Sequence, residues 1–371
     1  MDYRARRQAR AFSWLALTGL WVALAAVSVG WVRWVWLAAL GLTWLVLHRW
    51  MLSPGAVPVL TYHSVSGSTE WLPWADGTSI SPLDFGRQLD LLGKLGCHVV
   101  STRDLIRARQ DERVLPKRPV VLHFDDGYLD NWVAAFSLLR ERQLPATIFL
   151  SLDFIEAGSE VRPRLDEVEP GELEPEDLAW EGYLNWEEIG AMRDSGLIDF
   201  GAHGVTHGRT RSGPGVVTML RSGNWRRHAW LQWAHLPGSK VDWHRWTEPP
   251  YVPLGSEVPE SRSSLVTPEW SEGGSESQEQ FEQRVLSELQ RCRVELEAGL
   301  GTPVDVFCWP FNESSPVSRR LAATAGYSVT TGGRGENRPG EATDVISRFH
   351  AGDRAAGWKW LWLDDLAFRG T

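Results

Sequence analysis

The sequence predicts an α/β domain with a parallel, barrel-like sheet. Three observations carry that expectation. Short β-branched runs end abruptly in polar residues, as at 119–127 (PVVLHFDDG), which suits strands buried on both faces. Amphipathic helical stretches alternate with those runs. Chemically active residues collect where the runs end, the edge at which parallel α/β folds build their sites.

The run Val120-Val121-Leu122 stops at Asp125-Asp126-Gly127. Neighbouring strand residues point to opposite sides, so a turn at Gly127 is needed for both carboxylates to face one cavity. Two carboxylates that close both ionise readily only when a cation or hydrogen bonds intervene. Asp-Asp-Gly is also ordinary turn chemistry. A second strand end, 198–203, leads through Gly204-Val205-Thr206 to His207, so His203 and His207 are spaced to reach one ion. Two imidazoles and a carboxylate suit zinc or a similar divalent metal with a position left for water.

Together these two motifs resemble the polysaccharide deacetylase (NodB-like) group, carbohydrate esterase family four, over roughly 57–350. The resemblance implies a distorted (β/α) barrel and removal of N-acetyl groups from amino sugars. It implies that Asp125 is the general base and that Asp126, His203 and His207 hold the metal. Tyr62-His63-Ser64-Val65 resembles the N-terminal histidine motif of the poly-N-acetylglucosamine deacetylase branch, which makes His63 the expected general acid. His350, near the family's late histidine position, is the rival. The family's third motif, Arg-x-Pro-Tyr, reads Cys308-Trp309-Pro310-Phe311 here. Phe311 keeps the backbone amide that serves the oxyanion, with Trp309 and Pro310 beside it as substrate-side candidates. The arginine that steadies the base is replaced by Cys308, and Arg348 is the candidate substitute. His123 replaces the first motif's threonine, and Gly204 replaces the second motif's Ser/Thr.

The 371 residues allow one large domain or two small ones. Residues 1–53 hold six arginines against Asp2, a balance of +5, leaving −14 for the rest of a chain whose net charge is −9. An acidic remainder argues against a nucleic-acid partner and is compatible with a neutral or cationic glycan. Cys97, Cys292 and Cys308 have no metal spacing and predict no disulfide framework.

In chain order, 1–52 reads as a membrane anchor of one or two transmembrane helices. Uncharged 11–32 and 34–47 flank Arg33, and Trp14, Trp21, Trp31, Trp34, Trp36, Trp44 and Trp50 recur as interfacial residues. The stretch is too long for a signal peptide and lacks a small-residue cleavage site. The expected location is a bacterial inner membrane. A hairpin would put the catalytic domain inside, and a single span would put it outside.

Ser53-Pro54-Gly55 reads as a linker, and 53–371 as the catalytic domain. Its first strand is 57–65. A helix opens at Ser81-Pro82 and stops at Gly96, followed by a strand at 97–101. A helix over 130–143 and a strand over 146–150 come next. The acidic 158–177 reads as a surface insertion. Asn185 to Glu188 forms a capping box. The stretch 208–278 breaks the rhythm with six tryptophans, either a glycan-stacking or membrane-contacting lobe or an insertion packed on itself. A helix at 279–299, a strand at 304–311, a helix at 314–325 and a strand at 345–349 complete the domain.

The expected activity is metal-dependent N-deacetylation of an envelope or exported polysaccharide. The alternatives are a deacylase of a lipid-linked sugar and a non-catalytic glycan-binding relative.

Overall fold

The computed structural model describes residues 3–51, 56–110, 112–333, 335, 337–338 and 341–352. The linker read at 53–55, the side chains of Trp14, Trp44 and Trp50, and the stretch 353–371 lie outside the described residues.

Nine strands form one parallel sheet: β1 (Val59–Tyr62), β2 (His98–Val99), β3 (Pro119–Phe124), β4 (Ala146–Leu150), β5 (Ile198–Ala202), β6 (Val306–Phe307), β7 (Val329–Thr331), β8 (Val345–Ile346) and β9 (Phe349–His350). The spatial order is β8-β7-β6-β5-β4-β3-β1-β9, with β2 beside β3. β8 pairs with β7 through Thr330 and Val345, while β9 pairs with β1 through Leu60 and Phe349. The short stretch 345–350 therefore joins the two edges of the curled sheet. β3 and β4 are buried along almost their whole length, as their unbroken apolar runs require.

The helices follow their caps. Ser81 accepts from the amide of Asp84 and opens Pro82–Lys94, whose Phe85, Leu89 and Leu92 enter the core. Asn185 and Glu188 form the expected capping box for Trp186–Asp194. The helix after the Asp-Asp turn begins as a π-helical stretch, Asn131–Phe136, and continues as Ser137–Glu141. Such bulges gather at functional sites. Helix Thr102–Arg109 and strand β7 were not evident in the sequence.

One expectation needs correction, the transmembrane anchor. The N-terminal segment forms two helices, Tyr3–Val27 and Trp31–Met51, reversing at Gly30 (φ 64°). Trp21 stacks on Trp36 at 5.5 Å, and Arg33 Nε donates to the Ala25 carbonyl. Among the described residues no helix is long and apolar enough to cross a membrane. The uncharged run at 11–32 counted through the turn. Only 11–27 is both helical and uncharged in the first helix, about 17 residues against the roughly 20 that a bilayer requires. In the second helix the arginine-free run 34–48 is shorter still.

The expected surface insertion at 158–177 is exposed or half-buried and anchored to the domain. Arg162 forks onto the buried Glu188 through two bonds of 2.7 Å and reaches Glu156 at 3.0 Å. The region 208–278 contains a long antiparallel ribbon, Arg209–Met219 against Glu257–Ser263. Its Trp225, Trp233 and Trp243 are buried. Trp243 stacks on Trp74 at 5.3 Å, and Trp233 meets Phe154 edge-on. Lys240 forms a buried ion pair with Asp153, pinning the region to the end of β4.

Candidate active site

Every parallel strand that carries a predicted site residue delivers it at its C-terminal end. His63 follows β1, Asp125 and Asp126 follow β3, His203 follows β5, Cys308 follows β6, and Arg348 and His350 come from the closing stretch. All of these but the buried Cys308 line a cleft of about 820 Å³.

Asp126 Oδ1 stands 3.2 Å from His203 Nε2 and 3.3 Å from His207 Nε2. That oxygen is buried and without a hydrogen-bond partner. The tautomer of His203 follows from its other side. Its Nδ1 lies 2.9 Å from the carbonyl of Cys308, which can only accept, so Nδ1 carries the proton and Nε2 presents a lone pair. An orphaned carboxylate oxygen between two imidazole nitrogens, one held in the ligating tautomer from behind, is the donor set a divalent cation takes.

Backbone geometry sustains this convergence. Asp126, His207, Phe311 and Asn312 all line the cleft and all adopt left-handed φ, at 74°, 48°, 60° and 54°. Such strain in non-glycine residues is costly and clusters where function requires it. The turn expected at Gly127 begins one residue earlier, at Asp126. Gly127 (φ 68°) continues it, and a Cβ there would meet Leu150 at 2.8 Å. Gly204 (φ 85°) occupies the loop between the two histidines, where a serine or threonine would be strained.

Asp125 occupies a different environment. Arg348 donates to its Oδ1 at 2.6 Å, and the Cys308 thiol approaches the same oxygen at 3.5 Å. Oδ2 faces His63 Nε2 at 3.8 Å. Burial alone would push this carboxyl up. The charge and hydrogen bond of Arg348 outweigh it and hold it well below the usual carboxylate range. Burial likewise works against Asp126, and His207 and His203 bring it down. Arg348, about forty residues beyond Cys308 in the chain, is thus the cation that meets this carboxylate in space.

His63 and His350 lie edge-on, ring centres 5.4 Å apart, and both line the cleft. His63 is the one beside Asp125. Burial lowers its pKa to about 4, despite the opposing pull of Asp125 and Asp126. Its backbone is clamped: Asn131 Nδ2 donates to the His63 carbonyl, and Asp130 accepts from Ser64 Oγ and the Val65 amide. Burial raises the Asp130 carboxyl to about 6.

The third-motif residues divide. Phe311 lines the cleft with its ring 4.6 Å from that of His207, and Arg209 stacks over it at 4.5 Å. The Trp309 side chain is instead fully buried against Phe307, and Pro310 is buried beside Gly204. His123 is interior as well. Thr102 Oγ1 bonds its Nε2 at 2.9 Å and Thr147 at 2.6 Å, so it is a packed polar residue below the site. Of the tryptophans in 208–278, Trp230 and Trp233 face the cleft, with Trp74 packed edge-on against Trp233, while Trp243 packs behind.

Two supports had no signal in the sequence. Glu288, on helix Gln278–Leu300, receives the amides of Val205 and Thr206 and the Thr206 hydroxyl, at 3.3–3.5 Å. It braces the loop between the two histidines. Asp130 and Asn131 do the same for His63. Only their spacing after Asp125-Asp126, at the mouth of a helix, could have marked the second pair.

Comparison with known proteins agrees with this geometry. The family model described as Polysaccharide deacetylase matches residues 112–330. A Putative polysaccharide deacetylase, YxkH of Bacillus subtilis (strain 168), is 25% identical over 97 residues, 26% of this chain and 32% of that protein. The chain thus matches about a third of the length of this curated relative. Among solved structures, a de-N-acetylase from Aggregatibacter actinomycetemcomitans superposes with TM-score 0.58 at 19% identity, covering 84% of this chain and 99% of that one. IcaB from Ammonifex degensii gives 0.53 at 20%, covering 86% and 99%. The BpsB deacetylase domain from Bordetella bronchiseptica gives 0.55 at 19%, covering 80% and 96%. At these identities the likeness establishes a shared fold. With the family matched across more than half of its length, the chain belongs to the polysaccharide deacetylases.

Proposed function

We propose that this protein is a metal-dependent hydrolase that removes N-acetyl groups from amino sugars of an envelope or exported polysaccharide. The observation that carries this reading is the unpartnered Asp126 Oδ1 between the Nε2 atoms of His203 and His207, with the ionised Asp125 alongside. A divalent cation held by those three, zinc being the choice their chemistry favours, would supply Lewis acidity toward the acyl oxygen and a more acidic water.

The chain's own residues do the rest. Asp125 Oδ2 takes the proton of the attacking water, since Oδ1 is engaged by Arg348. His63, neutral at pH 7, lies 3.8 Å from that oxygen, takes this proton over from Asp125 and passes it to the departing amine. The Phe311 amide stabilises the oxyanion, its backbone held in the left-handed region. Trp230, Trp233 and Trp74 give flat walls for sugar rings. The description of the Aggregatibacter relative as a de-N-acetylase accords with this assignment.

The test is acetate release from a chitin-like oligomer by purified full-length protein, with metal analysis of the same sample. Wild type should carry about one divalent ion per chain and lose activity to chelator. Asp125→Asn should cut turnover by about 10³-fold or more and keep the metal. His203→Ala and His207→Ala should lose both. An active Asp125→Asn would sink the base assignment.

A further inference from the structure

Between Asp199 and Asp242 the chain has no carboxylate side chain, yet it carries five arginines and Lys240, in a protein of net charge −9. The structure uses several of these cations internally. Lys240 is paired with Asp153. Arg226 donates to the carbonyls of His244 and Trp246. Arg211 turns back on the carbonyls of Gly213 and Pro214, over Trp270.

Arg209, Arg227 and His228 remain on the cleft wall built by the ribbon region. Arg209 is fixed by Ser261 and lies 3.7 Å from Glu313, a carboxylate it shares with Arg262. Arg227 is exposed, and no hydrogen bond or ion pair engages its guanidinium among the described residues. The acid on the same wall, Glu260, is tied to its own ribbon by the Gly215 amide. His228 responds to this surplus: burial, then Arg209 and Arg227, hold its pKa below the ordinary value.

We propose that Arg227, flanked by Arg209 and His228, forms a subsite for an anionic group on the glycan, a carboxylate or a phosphate, displaced along the cleft from the acyl group removed. The proposal builds on the deacetylase reading and narrows its substrate to an acidic polymer. A planar guanidinium presents paired donors that match both oxyanions. A cleft with low-dielectric walls focuses that charge on an incoming polymer in an otherwise acidic protein. Fixing Arg209 by stacking on Phe311 also couples the subsite to the loop beside His207.

Binding can be measured without turnover in full-length Asp125→Asn, through the fluorescence of Trp74, Trp230 and Trp233 in the cleft. Three N-acetylated oligosaccharides of equal length serve as probes: one neutral, one bearing uronate and one bearing phosphate. At least one acidic probe should bind about tenfold tighter than the neutral one, and the tighter arm identifies the oxyanion. Adding Arg227→Glu should erase or invert that ratio, while Arg227→Lys keeps part of it. Arg227 is exposed, so both variants should fold as the parent does. Equal binding of all three probes, or an acidic preference that survives Arg227→Glu, overturns the subsite. Acetate release by the parent protein decides the deacetylase reading separately, since the binding ratio does not depend on it.

Discussion

At the scale of single residues, the proposed chemistry rests on the Asp125–Arg348 pair. Both groups are buried, and an arginine bonded at 2.6 Å keeps the carboxylate ionised through the acid range. Arg348→Met leaves Asp125 buried beside the weakly interacting Cys308. Its pKa must then rise, because the strongest opposing charge is gone. The acid limb of kcat/KM should move upward by at least about one pH unit, and stability should fall by about 3 kcal/mol. A limb that stays in place would show that Asp125 does not depend on Arg348 for its charge. The carboxylates and histidines of the site were legible because strand ends expose their identity in short motifs. The arginine could be named only as a candidate, since a cation can reach a given carboxylate from any neighbouring strand end. Here it comes from the stretch that closes the sheet.

Among the elements, the loop from His203 to His207 depends on a helix far away in sequence. Glu288 accepts from both central amides of that loop, which also contains left-handed Gly204 and His207. Glu288→Gln keeps one acceptor and loses the charge. It should weaken metal binding by about 10-fold, read by competition with a chromophoric chelator, while His203 and His207 are unchanged. Metal affinity equal to wild type would reduce Glu288 to a packing residue. Helices with capping residues, such as those opened by Ser81 and Asn185, could be placed from sequence because the cap is a local hydrogen bond. The ribbon Arg209–Met219 with Glu257–Ser263 could not. Its strands are separated by about forty residues, their register shifts near Val216, and glycine and proline interrupt the alternation that marks a strand.

On the scale of the whole molecule, the tryptophan-bearing region is fastened to the barrel by charge as well as by ring packing. Lys240 and Asp153 are both buried, and the Lys240 amide also bonds the Asp153 carbonyl at 2.7 Å. Lys240→Met strands a buried carboxylate and should cost about 3–5 kcal/mol. Lys240→Met with Asp153→Leu should recover most of that loss in thermal unfolding, since neither charge is then left behind. If the double variant is no better than the single one, the pair does not act as a unit. The tryptophans announced a distinct region in the sequence but not its use. Trp225 packs in the region's own core and Trp243 on the seam with Trp71, Trp74 and Tyr183, while Trp230 and Trp233 reach the cleft. The parallel barrel-like sheet was readable from its apolar runs. The N-terminal reversal at Gly30 matches the hairpin turn the sequence allowed, but neither helix keeps an apolar run long enough to cross a membrane.

The stretch 345–350 zips one sheet edge to the other and also brings Arg348 and His350 to the cleft, opposite His63 from β1. During synthesis, then, a nascent chain that has folded as far as β7 still has an open seam, with Asp125 unaccompanied. The proposed deacetylation would have to await residue 350. A protease that nicked the seam afterwards would abolish that proposed activity while leaving all three proposed metal ligands in place.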